Sequence, residues 1–236
     1  MNMKIKFRYI VLIAFCASAV LSCKKDNYAP PSSTLSGRLV YNGDSIGVER
    51  NQVPFEIYQF GFGRVGAIAN TFAENGTYSA LLFDGDYKLI IPNGQGPFMW
   101  KQTVAGTPDS VAITMKGSQT LDLQVTPFYM IRNPQITTGG GKVSASCKVE
   151  KIITDANAKD IERVSLFINK TQFVSGGDNI GAADIGGAAI TDPDNILLSV
   201  TIPTITPTQN YVFARIGVKI DGVEDMIFSP VVKISF

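Results

Sequence analysis

Histidine is absent from this chain. That removes His-based catalytic triads, most zinc sites and the commonest general base at once. Cysteine is scarce, with three in 236 residues. No disulfide framework is available, and stability must come from a packed core. Long apolar runs are missing too. The stretch Ile10 to Val20 covers eleven residues, too short to cross a hydrocarbon layer of about 30 Å as a helix. Nor does either sign of charge dominate, with 21 basic and 20 acidic residues, so nothing marks a nucleic-acid partner.

What is present begins with a secretory signal. Lys4, Lys6 and Arg8 form a positive start with no acid among them, and Ile10 to Val20 follows as the apolar region. Val20-Leu21-Ser22-Cys23 resembles the bacterial lipobox, in which a small residue precedes a cysteine that is acylated and becomes the new N-terminus. On this reading residues 1–22 are removed and Cys23 carries the lipid. The removed segment takes three basic residues and no acidic ones, leaving 18 basic against 20 acidic residues and a net charge of −2. The lipid is then the sole attachment to the bilayer, and several acyl chains at about 0.8 kcal/mol per buried CH₂ make it stable. Lys24 to Ser33 reads as a tether: polar, without hydrophobic period, and holding Pro30-Pro31. Ten extended residues reach roughly 33 Å.

Beyond the tether the period is two almost everywhere, and the fold class expected is all-β. Val111 to Lys116 and Leu121 to Thr126 alternate around Gly117-Ser118-Gln119, which predicts a hairpin. Thr77 to Leu82 and Asp86 to Ile91 flank Phe83-Asp84-Gly85 and predict a second. Leu35 to Tyr41 and Phe55 to Phe60 add two strands. A second set comprises Lys142 to Ile152, Val164 to Ile168, Ile196 to Ile202, Tyr211 to Ile220 and Pro230 to Phe236. A short helical turn is the expectation at Asp155 to Glu162. We read two consecutive β-sandwiches, residues 34–128 and 129–236, meeting near Phe128 to Asn133, with one large sandwich as the alternative. Each half has strands enough for a core, so a cut near Met130 is expected to leave two separately folding pieces.

Catalytic chemistry finds little footing. Asp84 and Asp86 flank a turn and Asp192 and Asp194 bracket Pro193, positions Asp favours for its local backbone bonds rather than as an acid–base pair. Asp178, Asp184, Asp192 and Asp194 lie in oxygen-rich loops of the kind that hold calcium, but their spacing matches no calcium motif. The runs "SGGDNIGAADIGGAA" and "TTGGG" do not lead from a strand into a helix and lack a phosphate-binding lysine, so they read as flexible loops. Cys147 falls on the apolar face of an alternating strand and reads as a small core hydrophobe. The chain is therefore expected to be no enzyme and to need no metal or cofactor.

Binding has a better candidate in "PNGQGPFMWKQTVAG", Pro92 to Gly106. Trp100, the only tryptophan, stands beside Phe98 and Met99 in an apparent loop. Two readings are open. The indole is a stacking platform for a sugar ring with Lys101 and Gln102 hydrogen-bonding at its rim, or Phe98 and Trp100 fold back to plug the sandwich mouth. Phe60 and Phe62 could join either arrangement.

The stretches "YAPPSSTLSGRLVYNGDSIG", "NGTYSALLFDGDYKLIIPNGQGPF" and "TPF" resemble a family of Bacteroidetes surface lipoproteins catalogued as domain-of-unknown-function 3823. Gly76-Thr77-Tyr78 with Phe83-Asp84-Gly85-Asp86-Tyr87 is similar to the paired-strand motif of a transthyretin or carboxypeptidase-regulatory sandwich. Tyr211-Val212-Phe213-Ala214-Arg215 resembles part of a fibronectin-type-III-like sandwich. The resemblance implies an outer-membrane lipoprotein facing the cell exterior. It further implies a protein that binds or scaffolds glycan for a polysaccharide-utilisation system, beside an outer-membrane transporter, and on that binding reading the expectation is a monomer. An adhesive or pilus-like subunit is the alternative, against which Ala29-Pro30-Pro31 makes a poor strand to donate. Asp44-Ser45-Ile46 and Asp109-Ser110-Val111 resemble the Bacteroidetes O-glycosylation acceptor, which makes Ser45 and Ser110 candidate modification sites.

Overall fold

The computed structural model describes residues 29–61 and 66–236, and Ser32–Phe236 forms one compact unit. The signal segment, Cys23, most of the tether and Phe62 lie outside the described residues. Two pairs of sheets make up the body. In the first half, Ser33–Tyr41 pairs antiparallel with Thr77–Leu82 and parallel with the short segments Gln119–Thr120 and Leu123–Gln124. Facing it, Val111–Met115, Gly85–Ile90, Pro54–Gln59 and Ala67–Thr71 lie side by side. Alternation dictates the packing: Leu35, Leu39, Phe55, Ile57, Tyr87 and Leu89 point inward and are buried. At one end Phe55, Phe72 and Tyr78 meet with ring centroids 4.8, 5.1 and 5.7 Å apart.

The second half stacks Tyr129–Gly139, Lys142–Lys151 and Ile196–Thr201 against a sheet centred on Ile161–Asn169 and Tyr211–Ile220. Cys147 is buried with Val143, Ala145 and Val149 on the inner face, and burial pushes its thiol up to about 11. At that value the thiolate is negligible near neutrality, so the residue is an inert part of the core.

Neither expected hairpin forms. Thr77–Leu82 and Gly85–Ile90 belong to different sheets, as do Val111–Met115 and Gln119–Thr120. Their connections are corners between the layers. Asp84 holds both corners together, its Oδ1 accepting hydrogen bonds from Ser33 Oγ and from Gly117 N–H at 2.9 Å. Tyr87 Oη donates to Phe83 O at 2.9 Å across the first corner. An alternating pattern reports a half-buried strand but not its partner, so two neighbours in sequence looked like neighbours in a sheet.

Three strands lay in segments with weak signals. Tyr129–Gly139, which contains Pro134 and a bulge between Arg132 and Gln135, runs through the stretch expected only as the meeting point of the two halves. Gly181–Gly186 pairs with Ile161–Asn169 within the glycine-rich run expected to be a loop. Ala67–Thr71 is a largely exposed strand beside Pro54–Gln59. Within Asp155 to Glu162 a short turn forms, closed by Ala158 N–H to Asp155 O at 2.9 Å, and Ile161 already begins a strand.

The halves share more than a junction. Buried residues from Leu35 to Ile227 form one continuous apolar cluster across both. Phe228 N–H donates to Gly47 O at 3.0 Å, a β-bridge across the seam. Arg215 is 1% exposed and lies over the Phe228 ring at 3.9 Å. Its Nη2 donates to Val48 O and Glu74 O of the first half, both at 3.3 Å, and its Nη1 to Val174 O of the second at 3.4 Å. Burial draws its guanidinium down to about 9, against the opposing pull of Glu74 and Glu49, so it stays charged at neutral pH.

Candidate functional site

The Pro92–Pro108 segment closes one end of the first sandwich and meets the second. Gly96 adopts φ +80°, and a Cβ there would lie 2.5 Å from the Phe98 ring. Glycine therefore lets the chain fold directly over Phe98. Phe98–Met99 then pairs with Thr126–Pro127, which pins the segment to the core. Phe98 and Trp100 are both buried, Trp100 with 7% of its surface exposed, and its Nε1–H donates to Asp109 O at 2.7 Å. The indole is the plug of the sandwich mouth. Too little of it is exposed to serve as an open stacking platform, although it borders the cleft described below.

Lys101 and Gln102 serve the loop itself. Lys101 Nζ lies 3.1 Å from Asp109 Oδ2 and donates to Ser110 O at 3.0 Å. The Lys101 ammonium, and then the Ser110 N–H, hold the Asp109 carboxyl below its ordinary range. Gln102 Nε2 donates to Asn93 Oδ1 at 2.9 Å, while its Oε1 accepts from Gly106 N–H at 3.0 Å. This side chain draws the two arms of the loop together.

Opposite stands the turn Asp155–Lys159 of the second half. Asp155 Oδ1 accepts from Asn157 N–H at 2.8 Å and from Asn157 Nδ2 at 3.2 Å, so the exposed Asn157 amide is held against its own turn with Oδ1 and one N–H left over. Lys159 Nζ donates to Gly222 O at 3.1 Å, and Tyr129 Oη donates to Lys159 O at 2.8 Å. Behind the first wall, Asp225 Oδ2 accepts from Gly96 N–H at 2.8 Å in a buried bond. Burial raises the Asp225 carboxyl above its ordinary value, and the Gly96 N–H partly opposes that rise. Both walls are thus tied to the same Gly222–Asp225 turn.

Between them lies a cleft of about 520 Å³, floored by Ile91, Phe98, Trp100 and Phe128 and rimmed by Asn93, Gln95, Gln102, Asn157 and Lys159. On the other side of Met99 to Gln102 is a second hollow of about 680 Å³, bordered by Tyr41, Gln124 and Ile152 to Asp155. The sequence singled out the Phe98–Gln102 wall. It did not single out Gln95 within the same run, and it missed Asn157 and Lys159 because nothing in a linear pattern shows that Asp155–Lys159 faces that loop.

The remaining candidates are dispersed. Asp86 Oδ1 accepts from Thr114 Oγ1 at 2.7 Å, and Asp194 pairs with Lys148 at 2.9 Å. Asp192 Oδ1 accepts from Asp194 N–H at 3.0 Å, and Asp178 Oδ1 from Asn169 Nδ2 at 2.8 Å. Among the described residues no three His, Cys, Asp or Glu side chains gather to hold a metal ion. Ser45 is exposed and its Oγ accepts from Arg38 Nη1 at 2.9 Å, whereas Ser110 is half-buried. No described helix is long and apolar enough to cross a membrane.

Residues 33–126 match the family model described as the N-terminal domain of a protein of unknown function, DUF3823, and residues 129–233 match the DUF3823 C-terminal domain of unknown function. A DUF3823 protein from Parabacteroides merdae is 32% identical with a TM-score of 0.75, the match covering 88% of this chain and all of that one. Another from Bacteroides ovatus is 27% identical with a TM-score of 0.76, covering 86% and 99% of the two chains. At 17% identity and a TM-score of 0.67, the fold is also that of a Bacteroides uniformis protein provisionally described as carbohydrate binding, with 87% and 100% covered. No curated protein matches the chain. The two adjoining domain matches and the 32% identity over a whole solved relative together place this chain in the DUF3823 family.

Proposed function

We propose that this chain is a lipid-anchored, non-catalytic lipoprotein of the outer membrane, exposed at the cell surface, that captures glycan beside an outer-membrane transporter. The observation that carries the reading is Cys23, set at the end of a short apolar run and followed by a polar, proline-bearing tether that leads into the compact body. Such a design holds a soluble domain at a membrane surface and gives it reach. The carbohydrate reading draws support from the Bacteroides uniformis protein that shares the fold. A non-catalytic role accords with the absence of histidine and with carboxylates engaged in turns and ion pairs.

Two measurements test it. Cys23→Ala should abolish acylation and move the protein from the membrane to the soluble fraction. A variant that still sediments with outer membranes after high-salt washing would overturn the anchor. The signal-free chain Lys24–Phe236 should run as a monomer on size exclusion and bind members of a glycan array. A ladder of oligomers with no glycan bound would favour a pilus-like subunit instead.

A further inference from the structure

We infer that the cleft between Gln95 and Asn157 is a binding site for a short neutral oligosaccharide. The inference deepens the glycan-capture reading and rests on it. Its volume of about 520 Å³ falls within the range of small-molecule sites, about 300–1,000 Å³. The chemistry of the rim narrows the ligand class. Four amide side chains, Asn93, Gln95, Gln102 and Asn157, border it, and no carboxylate does. After the bonds made within the walls, Asn93 and Gln95 keep two donors each, Gln102 and Asn157 keep one each, and every amide oxygen keeps acceptor capacity. That is the complement of a pair of neighbouring hydroxyls, each of which also donates and accepts.

The single cation on the rim, Lys159, already donates to Gly222 O at 3.1 Å. An anionic ligand would find one partly committed charge, whereas a neutral one needs none. The floor is apolar, and the exposed parts of Phe98, Trp100 and Phe128 can receive the C–H face of a sugar ring. These rings are too deeply buried for full stacking, so the amides and not the aromatics set the affinity.

The walls are held in place before any ligand arrives. Gly96 is fixed by Asp225 and Lys159 by Gly222, so one turn sets the separation of the two walls. Gln102 and Asn93 are bonded to each other at 2.9 Å on one wall, which orients both amides. Little conformational entropy is left to lose on binding.

Trp100 provides the test, because it is the only tryptophan and it borders the cleft. The chain Lys24–Phe236, which contains the whole compact unit, is titrated with short gluco-, manno-, galacto- and xylo-oligosaccharides. Binding is read by calorimetry and by Trp100 fluorescence. At least one neutral series should bind saturably and change the emission. The double variant Gln95→Ala/Asn157→Ala should lose about tenfold in affinity, as two net hydrogen bonds would contribute, with its melting temperature unchanged. If a sugar binds by calorimetry while emission stays constant, or if the double variant binds within about twofold of wild type, the sugar sits elsewhere. The cleft assignment then fails while glycan capture stands. A preference for uronic-acid oligosaccharides over neutral ones overturns the ligand class. If no glycan binds at all, the capture reading fails together with the site.

Discussion

Trp100 shows how one residue can sit at a candidate site without being its binding group. The indole fills the mouth of the first sandwich and its N–H is used by Asp109 O. Removing it leaves a cavity that the pinned loop cannot collapse to fill. Trp100→Ala should therefore lower stability by about 3–5 kcal/mol, seen as a clear drop in the thermal or urea midpoint. A variant that melts like wild type would show the indole to be a surface platform after all. Lys101 offers a contrasting case. Its ammonium serves Asp109 and Ser110 at an exposed position, where an ion pair contributes little.

Among the elements, the segment from Gln119 to Gln124 is the least expected. It runs parallel to Ser33–Tyr41, pairing at Leu35 and Ser36, leaving the ladder, and pairing again at Leu39 and Val40. Where it leaves, Leu121 passes over Gly37: a Cβ on Gly37 would lie 1.9 Å from Leu121 O. Tyr78 Oη donates to that same carbonyl at 2.7 Å, and burial raises its phenol above the ordinary value. Only glycine allows this crossing. Gly37→Ala should push the segment off the sheet edge and cost about 1–3 kcal/mol, with amide exchange accelerated at Leu121 to Val125 before the rest of the body. Uniform protection in the variant would mean the crossing relaxes without strain.

At the scale of the whole molecule, the seam decides behaviour. Arg215 is charged and buried, and carbonyls from both halves accept from its two terminal nitrogens while its Nε is left without a partner. Separating the halves would strip the Val48 and Glu74 carbonyls and expose Phe228 and much of the shared apolar cluster. A buried charge left with a broken set of partners is strongly destabilising. The chain Lys24–Phe236 should accordingly unfold in one transition, with calorimetric and van't Hoff enthalpies in agreement, and residues 129–236 alone should lack a folded near-ultraviolet dichroism spectrum. Two resolved transitions would restore the independence that the strand count suggests. The candidate cleft depends on the same seam, since its two walls come from different halves.

Local chemistry was legible in the order of residues. The alternation of Tyr211 to Ile220, the burial of Cys147 and the turn role of Asp192 follow from period, size and side-chain hydrogen bonding, which act within a few residues. So did half of the cleft, because Phe98 to Gln102 announces itself by composition. What the tertiary structure alone decided is partnership. Strand alternation is the same whichever sheet a strand joins, so the corner at Asp84 could not be told from a hairpin. The facing of Asn157 and Gln95, and the placing of Arg215 against Val48 and Glu74, depend on contacts across the seam between residues far apart in the chain. Period and propensity carry no trace of such contacts, because the energy that selects them comes from packing two finished surfaces together.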